Sequence, residues 1–249
     1  MSKRASLFRS KWVSARSALG LLCVCLCLFA GIARGEKPVD RRPTVAVLYF
    51  DYSGASRDLI ELQKGLAQML ISDLSASPHI RIVERERLEA VLVELRLSRS
   101  AKLDPTAVNR IGRLLGARYL VVGGYFIITA LLRMDARVIE VETGHVVTAQ
   151  SSMGKPENIL GVEQQLSRQL LHKLGEPVLE EFPKQRAAPR NPLPLPPSQI
   201  SSQAVRDLSH ALDAVDRGEL ERARAELLAL LRIAPGFRPA AERLDRLIQ

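Results

Sequence analysis

The sequence predicts an α/β fold, namely a mixed sheet with an antiparallel meander and flanking helices, plus a small all-α helical-repeat module. In the first half of the chain, apolar runs rich in β-branched residues alternate with apolar residues at helical spacing. Further strands are predicted through residues 119–151, with alternating polarity at 132–138. Residues 201–249, beyond a proline-rich stretch, show only helical periodicity. The predicted divisions are 1–35 (signal peptide), 36–182 (α/β domain), 183–200 (proline-rich linker) and 201–249 (helical module).

The first 35 residues have the pattern of a secretory signal peptide. A basic segment without acidic residues precedes an apolar run at 18–32, which is too short to cross a bilayer comfortably. Ala33 and Gly35 are small, which predicts cleavage after Gly35; an uncleaved anchor is the alternative. Residues 1–35 carry six basic and no acidic side chains, so cleavage lowers the formal net charge from +9 to +3. The remaining charge gives no indication of nucleic-acid binding.

All three cysteines, Cys23, Cys25 and Cys27, lie in this apolar run. After cleavage the chain therefore has no thiol for a disulfide, a nucleophile or a metal site. A lipoprotein signal needs a small residue before the acylated cysteine, whereas leucine or valine precedes each of these. Lipidation is therefore not predicted.

The α/β domain is predicted to begin with a strand, a loop and a helix. Residues 44–50 are apolar throughout, which is typical of a strand buried on both faces. Residues 51–54 predict a loop, and the helix after it ends before Pro78. The apolar stripe of that helix consists of Leu59, Leu62, Leu66, Met69, Leu70 and Leu74.

Residues 80–84 predict a short strand, and a helix follows from Glu84. Charges of both signs are predicted to face outward on this helix, whereas a nucleic-acid arm would be mainly basic. A membrane-surface helix would carry a one-sided basic face and aromatic anchors. The pattern favours a surface helix packed on the sheet. Its apolar positions are Leu88, Val91, Leu92, Leu95 and Leu97.

The clearest local signal lies in residues 104–128. Asp104 is a predicted cap, Pro105 opens a helix and Gly116 ends it. A strand is predicted at 119–128, where Gly123-Gly124 indicates a bulge or a close backbone approach. These glycines do not form a phosphate loop, because no Lys-Ser/Thr pair and no helix follow them. The predicted buried stripe of the helix is Val108, Ile111, Leu114 and Leu115.

The predicted meander continues with a half-buried strand, a turn at 142–144 and a return strand at 145–151. A last helix of this domain is predicted over 157–182. The residues that alternate inward on the first of these strands are Leu132, Met134, Ala136 and Val138. The apolar positions of the helix are Leu160, Val162, Leu166, Leu170, Leu171 and Leu174.

Beyond the linker, residues 201–249 predict a helix, a turn at Gly218, a second helix and the start of a third. Small Ala211 and Ala223 stand where paired helices touch, and Pro235 ends the second helix. This spacing resembles one tetratricopeptide-type unit, although its aromatic positions do not match. A plain helical hairpin is the alternative. A single unit should pack on the main domain, on another copy or on a partner.

Several separated segments resemble one family. They are "VAVLYFDYSG", "GLAQMLISDLSASPHIRIVERERLEAVLVELRLSRS", "LDPTAVNRIGRLLGARYLVVGGY" and "MDARVIEVETGHVV". Together they resemble, over residues 43–175, the curli production assembly/transport component (CsgG-like) family, which is related to TolB N-terminal-like and penicillin-binding-protein activator domains. The resemblance implies a non-enzymatic protein. The family's curli member is an acylated outer-membrane lipoprotein that assembles into a ring-shaped secretion channel, and other members are envelope accessory proteins.

This chain departs from the channel-forming member in two ways. It has no cysteine in a lipidation context. Between Ser98 and Ile159 it also lacks a pair of long alternating segments with aromatic girdles. Formation of a pore by this chain is therefore not expected, although a ring in solution remains an alternative.

No catalytic, cofactor-binding or metal-binding residues are predicted. The four histidines, His79, His145, His172 and His210, are far apart and lack metal-ligand spacing. Ser53 has no nucleophile-elbow sequence around it. Asp51 follows the first strand, where α/β sheets often bind ligands, but a loop-capping role is the favoured interpretation. The sequence also contains two turn-flanking acids that are predicted to be solvated, Glu140 and Glu142.

The predicted function is that of an exported, non-enzymatic accessory protein of the bacterial cell envelope, acting in protein assembly or secretion by protein–protein interaction. An oligomeric component of a curli-type secretion channel is the second hypothesis, and a cell-wall hydrolase is the third. The predicted partners are other envelope proteins, further copies of the chain and, through partners, the outer membrane; no nucleic acid and no cofactor are predicted. The predicted location is the periplasm, free or held at the outer membrane.

Overall fold

The structure is a computed structural model that describes residue 40 and residues 42–54, 56–95, 105–181 and 200–248, and it gives only the backbone of 105 and 175–181. The chain divides into residues 1–41 and a unit of residues 42–249. The predicted signal peptide, Asp104 and the linker up to residue 199 lie outside the described residues. Within the described residues, no helix combines the length and the apolar character that crossing a membrane requires.

Six strands form one mixed sheet in the described part of the chain. They are β1 (Thr44–Val47), β2 (Asp51–Tyr52), β3 (Arg81–Ile82), β4 (Tyr119–Ile128), β5 (Leu131–Glu140) and β6 (Val146–Gly154). The order is β3-β1-β4-β5-β6, and β2 also pairs with β4. Strands β1, β2, β3 and β4 pair in parallel, whereas β4, β5 and β6 form an antiparallel meander. The predicted mixed sheet with a meander is thus confirmed.

Eight α-helices accompany the sheet in the described residues. In the α/β part they are α1 (Arg57–Ile60), α2 (Gln63–Ser75), α3 (Arg85–Glu94), α4 (Pro105–Leu115) and α5 (Ile159–Glu181). The last three are α6 (Ser202–Asp216), α7 (Leu220–Ile233) and α8 (Arg238–Ile248). A short 3₁₀ turn, Pro156–Asn158, leads into α5. The expected flanking helices and the helical segment after the linker are therefore present.

The core lies mainly between α2, α5 and the inner face of the sheet. Strand β1 is buried on both faces, as its apolar sequence predicts. On β5 the alternation predicted for residues 132–138 is observed, since Leu132, Met134, Ala136 and Val138 are buried. Gly123 permits the close approach that the sequence indicates, because an added Cβ would lie 2.3 Å from the carbonyl oxygen of Asp135 and 2.6 Å from the Phe50 ring.

The prediction of a loop at residues 51–54 is wrong for the first two residues. Asp51 and Tyr52 form β2, paired with Gly124 and Tyr125 of β4. The ladder is offset by one residue between β1 and β2, because Val47 pairs with Val121. The intervening residues 48–50 are buried but are not part of a strand. The predicted loop therefore begins only at Ser53, after β2 has paired with β4.

Two burial predictions are also wrong. Leu114 is exposed, because α4 turns a narrow stripe inward that contains Val108, Ile111 and Leu115, and Leu114 projects to one side of it. On α3, the charged side chains of Arg85 and Glu89 are buried, whereas outward-facing charges were predicted. The predicted apolar position Leu97 lies outside the described residues.

The segment after the linker packs on the α/β part within the unit 42–249. Helix α6 lies against α2, and α8 also contacts α2. Gly218 adopts a φ of +75° in the turn between α6 and α7, a backbone conformation that favours glycine. Ala211 and Ala223 are fully buried where these two helices meet. The question of where the helical module packs is thereby answered, whereas its tetratricopeptide resemblance remains a prediction.

Candidate functional site

The four histidines occupy different elements and are not brought together. His79 precedes β3, His145 precedes β6, His172 lies on α5 and His210 lies on α6. The Nε2 atom of His210 lies 3.5 Å from Glu61 Oε2, and both side chains are about half exposed. No cluster of three or more His, Cys, Asp or Glu side chains suited to a metal ion occurs among the described residues.

Asp51 and Ser53 line an open cavity of about 480 Å³ between β2, α4 and the outer face of β4 and β5. Asn109, Asp135 and Arg137 supply other polar groups of its wall. Asp51 is held there by its pairing with Gly124 in the sheet. The Ser53 amide donates to the carbonyl oxygen of Tyr125 at 3.0 Å, which holds this part of the wall against the sheet.

The cavity continues into a partly uncovered region that we call the open sheet face, formed by the outward residues Phe126, Ile128, Arg133, Asp135 and Arg137. Helix α5 covers the opposite face of the meander, where Val162 lies against Gly154. On the open sheet face, Arg133 Nη2 lies 2.9 Å from Asp135 Oδ1. The Arg137 backbone pairs within the sheet, but its side chain makes no hydrogen bond or ion pair with another described residue. The face therefore combines apolar side chains with a guanidinium available to a ligand.

A second polar assembly joins the helical module to the α/β part. We call it the charged seam, and it consists of Lys64, Arg85, Glu86, Asp213 and Asp216. Arg85 donates two hydrogen bonds to Asp216, with Nη2–Oδ1 at 2.7 Å and Nη1–Oδ2 at 3.0 Å. Lys64 donates to both Asp213 and Asp216. The Arg85 side chain is fully buried, so its contact with Asp216 is a bidentate ion pair shielded from water.

The protonation of the charged seam follows from this geometry. Burial raises the pKa of Asp216, but the hydrogen bonds and charges of Arg85 and Lys64 more than offset burial and leave that pKa below its usual value. Burial also lowers the pKa of Arg85, yet its contact with Asp216 holds the net pKa above the ordinary range. Both groups are therefore ionised at neutral pH, as a lasting ion pair requires.

The charged seam continues into the core through Tyr49. Arg85 Nη1 donates to the hydroxyl of Tyr49 at 3.1 Å, and that hydroxyl donates to Glu89 Oε2 at 2.6 Å. Burial raises the pKa of Tyr49, which keeps the phenol protonated and able to donate. The chain Asp216–Arg85–Tyr49–Glu89 thus links α6 to α3 and to the residues that follow β1.

Gly65 sets the distance between α2 and α6. Its amide, in the first turn of α2, donates to the hydroxyl of Ser209 at 2.9 Å. That contact satisfies one of the amides that a helix N-terminus leaves unpaired. A Cβ at Gly65 would lie 2.5 Å from the carbonyl oxygen of Val205, so a larger residue would push α6 away.

The C-terminal half of α2 makes a second contact with the module. Arg238 Nη2 lies 2.7 Å from Asp73 Oδ1, and Ser72 Oγ donates to Glu242 at 2.6 Å. Beneath them Glu163 of α5 is fully buried; it accepts from Ser167 Oγ at 2.7 Å through Oε1, while Oε2 accepts no hydrogen bond from the described residues. Burial and the nearby Asp73 carboxylate raise the pKa of Glu163 well above its usual value. This carboxyl is accordingly favoured in its neutral form.

Periodicity did not predict the charged seam, because charged residues on amphipathic helices are normally assigned to solvent. Two features of the sequence could have indicated it. Gly65 stands inside a helix where an alanine would be more favourable, which suggests a close neighbour. Asp213 and Asp216 lie three residues apart, so they share one face of α6 and can meet a common cation.

Residues 36–130 match the family model described as curli production assembly/transport component CsgG. The resemblance inferred from the sequence motifs is therefore confirmed over these residues. The matched segment includes the charged-seam residues of α2 and α3 but not those of α6. The comparison with curated proteins gives no match.

Three of the solved structures that match are only distantly similar to this chain. The LpoB C-terminal domain from Escherichia coli is 17% identical, with a TM-score of 0.37 over 49% of this chain and 89% of that chain. The lipoprotein GNA1162 from Neisseria meningitidis is 12% identical, with a TM-score of 0.39 over 58% and 99%. The PelC dodecamer from Paraburkholderia phytofirmans is 18% identical, with a TM-score of 0.33 over 54% and 88%. TM-scores below 0.5 do not establish a shared fold, so these likenesses carry no functional inference.

Proposed function

From the CsgG-family match of residues 36–130, we propose that this chain is an exported, non-enzymatic accessory protein of the bacterial cell envelope that acts by binding other proteins. The family match is the observation that carries the proposal. The family match supports, at the level of class, a role as an envelope accessory protein. Periplasmic location, a role in assembly or secretion and the identity of the bound proteins are the finer parts of the proposal.

The proposed mechanism is presentation of two surfaces in a fixed relative orientation. The open sheet face and its cavity offer apolar contact area, a guanidinium at Arg137 and an Arg133–Asp135 pair. The helical module offers the exposed side of α7, on which Leu220 and Leu228 are accessible. Because the charged seam ties α6 to α2 and α3, a partner on the module and a partner on the sheet would be held at a constant separation.

The channel hypothesis receives less support than the accessory role. In the described residues the connection between β4 and β5 is the two-residue turn Thr129-Ala130, and residues 141–145 connect β5 to β6. Neither connection is long enough to contain an additional pair of strands that could reach into a membrane. A channel role would therefore require a membrane-crossing segment from a partner or from residues outside the described ranges.

The proposal can be tested by site-specific photo-cross-linking in the bacterium that encodes the chain. A photoreactive amino acid at Ile128, which is 46% exposed on the open sheet face, is compared with one at exposed Ala225 on α7. We expect a discrete adduct at position 128 with a protein that itself carries an export signal. Adducts only with cytoplasmic proteins, or none at either position, would contradict an envelope binding role.

A further inference from the structure

Strand β6 forms one edge of the sheet and pairs only with β5 among the described strands. Its sequence, VVTAQSSMG, contains no charged residue and no proline over nine residues. Five of these side chains are exposed: Val146, Val147, Ala149, Ser151 and Met153. The opposite edge, β3, is only two residues long and carries Arg81. The two edges of the sheet therefore differ in how readily they could accept another strand.

Edge strands of soluble proteins are usually protected against pairing by charges, prolines, bulges or short length. Strand β6 has one such feature, a shift of register between Val138 and Ile139 of β5, which leaves Val147 as an extra residue. The shift lies at the start of the strand. From Thr148 to Gly154 the pairing with β5 is regular, so within the described part of the chain seven residues present an edge without such protection.

This regular segment is complementary to itself when two copies run antiparallel about Ser151. Thr148 then lies opposite Gly154 of the second copy, and Gln150 lies opposite Ser152, which joins polar or small groups on the inner side. On the outer side Ala149 lies opposite Met153, which is 44% exposed in the single chain. No charge faces a like charge in this register, and an apolar pair forms twice through the twofold symmetry.

We propose that two copies of this chain associate through β6, antiparallel and centred on Ser151, so that the two sheets become continuous. The strand that pairs with the free edge of β6 is thus β6 of a second copy. The segment is about 24 Å long at roughly 3.4 Å per residue, which corresponds to a small interface and a weak, concentration-dependent dimer. The inference is independent of the proposed envelope role, since it depends only on the edge strand.

Introducing a charge at Ser151 tests the proposal. Ser151 is exposed and would face Ser151 of the second copy, so Ser151→Lys or Ser151→Glu places two like charges opposite each other only in the dimer. The mass of residues 36–249 is measured by light scattering over about 1 to 200 µM, a range that covers weak association. Ala225→Lys adds the same charge at an exposed site on α7 and serves as the matched control.

We expect the unsubstituted chain and Ala225→Lys to rise from one chain to two with concentration. Ser151→Lys and Ser151→Glu should each remain a single chain with unchanged circular dichroism, and an equimolar mixture of the two should recover the dimer. A monomer at every concentration for the unsubstituted chain would overturn the proposal. Dimers or larger assemblies that the Ser151 substitutions leave intact would equally overturn it, because the contact would then lie elsewhere.

Discussion

Individual charged residues determine how firmly the helical module is attached. Asp216 is the shared acceptor of the charged seam, because Arg85 and Lys64 both donate to it. The Asp216 side chain is mostly buried, and the side chains of Arg85 and Lys64 are almost entirely shielded from water. The residue therefore compensates two buried positive charges at once.

Removing Asp216 should be strongly destabilising. Asp216→Ala leaves Arg85 and Lys64 buried with only partial compensation, and loss of one partner of a buried pair costs about 3–5 kcal/mol. We expect the free energy of unfolding in urea to fall by an amount of this order. Glu226→Ala, which removes the acceptor of an exposed arginine on α7, should change it little. A small effect of Asp216→Ala would show that the charged seam does not stabilise the fold.

Glu163 lowers the stability of the fold at neutral pH, whereas Asp216 raises it. Its pKa is raised in the folded state, so the folded chain binds a proton more tightly than the unfolded chain. The stability contributed by this proton is fully present below the ordinary glutamate pKa and is lost as pH rises through the raised folded value. The carboxyl therefore costs stability at neutral pH.

Glu163→Gln should raise the thermal unfolding midpoint at pH 7.5, because the amide keeps an acceptor for Ser167 and carries no charge. At pH 4 the carboxyl is largely protonated in both states, so the two proteins should unfold at nearly the same temperature. Differential scanning calorimetry at both pH values measures this. A lower midpoint for the variant at pH 7.5 would mean that a favourable partner compensates the buried carboxylate.

At the scale of elements, the contact between α2 and α6 depends on the missing side chain of Gly65. Alanine is normally better than glycine within a helix, by about 1 kcal/mol. Here the added Cβ would meet backbone, 2.5 Å from the Val205 carbonyl oxygen, and backbone cannot move without shifting α6. The packing penalty should therefore exceed the gain in helix propensity.

We expect Gly65→Ala to lower the unfolding midpoint and to speed proteolysis within the helical module. Gly161→Ala is the matched control, since Gly161 is also the third residue of its helix and an added Cβ there would meet only the side chain of Asn158. Limited proteolysis followed by mass spectrometry reports the cleaved positions. Equal resistance of the two variants would contradict a close α2–α6 contact.

The elements themselves were largely predictable from local pattern. Strand β4 has the predicted ends, because ten consecutive residues without charge are bounded by Arg118 and a turn. Helix α4 also begins at the predicted proline and ends before Gly116, whose φ is +62°. Strand β2 was missed because two residues are too few to show a period, and their pairing with β4 is a tertiary contact.

At the scale of the whole molecule, the sequence predicted helices beyond residue 201 but not what they pack on. The aspartate partner of Arg85 and Lys64 lies more than 100 positions away from both in sequence, so a periodic pattern cannot predict these contacts. The cavity beside Asp51 has the same origin, since its walls come from β2, α4 and the meander. Long-range contacts of this kind are the part of the structure that a local pattern cannot predict.

Export to the cell envelope is the part of the proposed function on which the rest depends. Its most direct test is fractionation of the bacterium that encodes it, with the N-terminus of the recovered protein determined by mass spectrometry. We expect a protein in the periplasmic or outer-membrane fraction whose first residue is Glu36, the residue after the predicted cleavage site. Recovery from the cytoplasm with residues 1–35 still attached would contradict it.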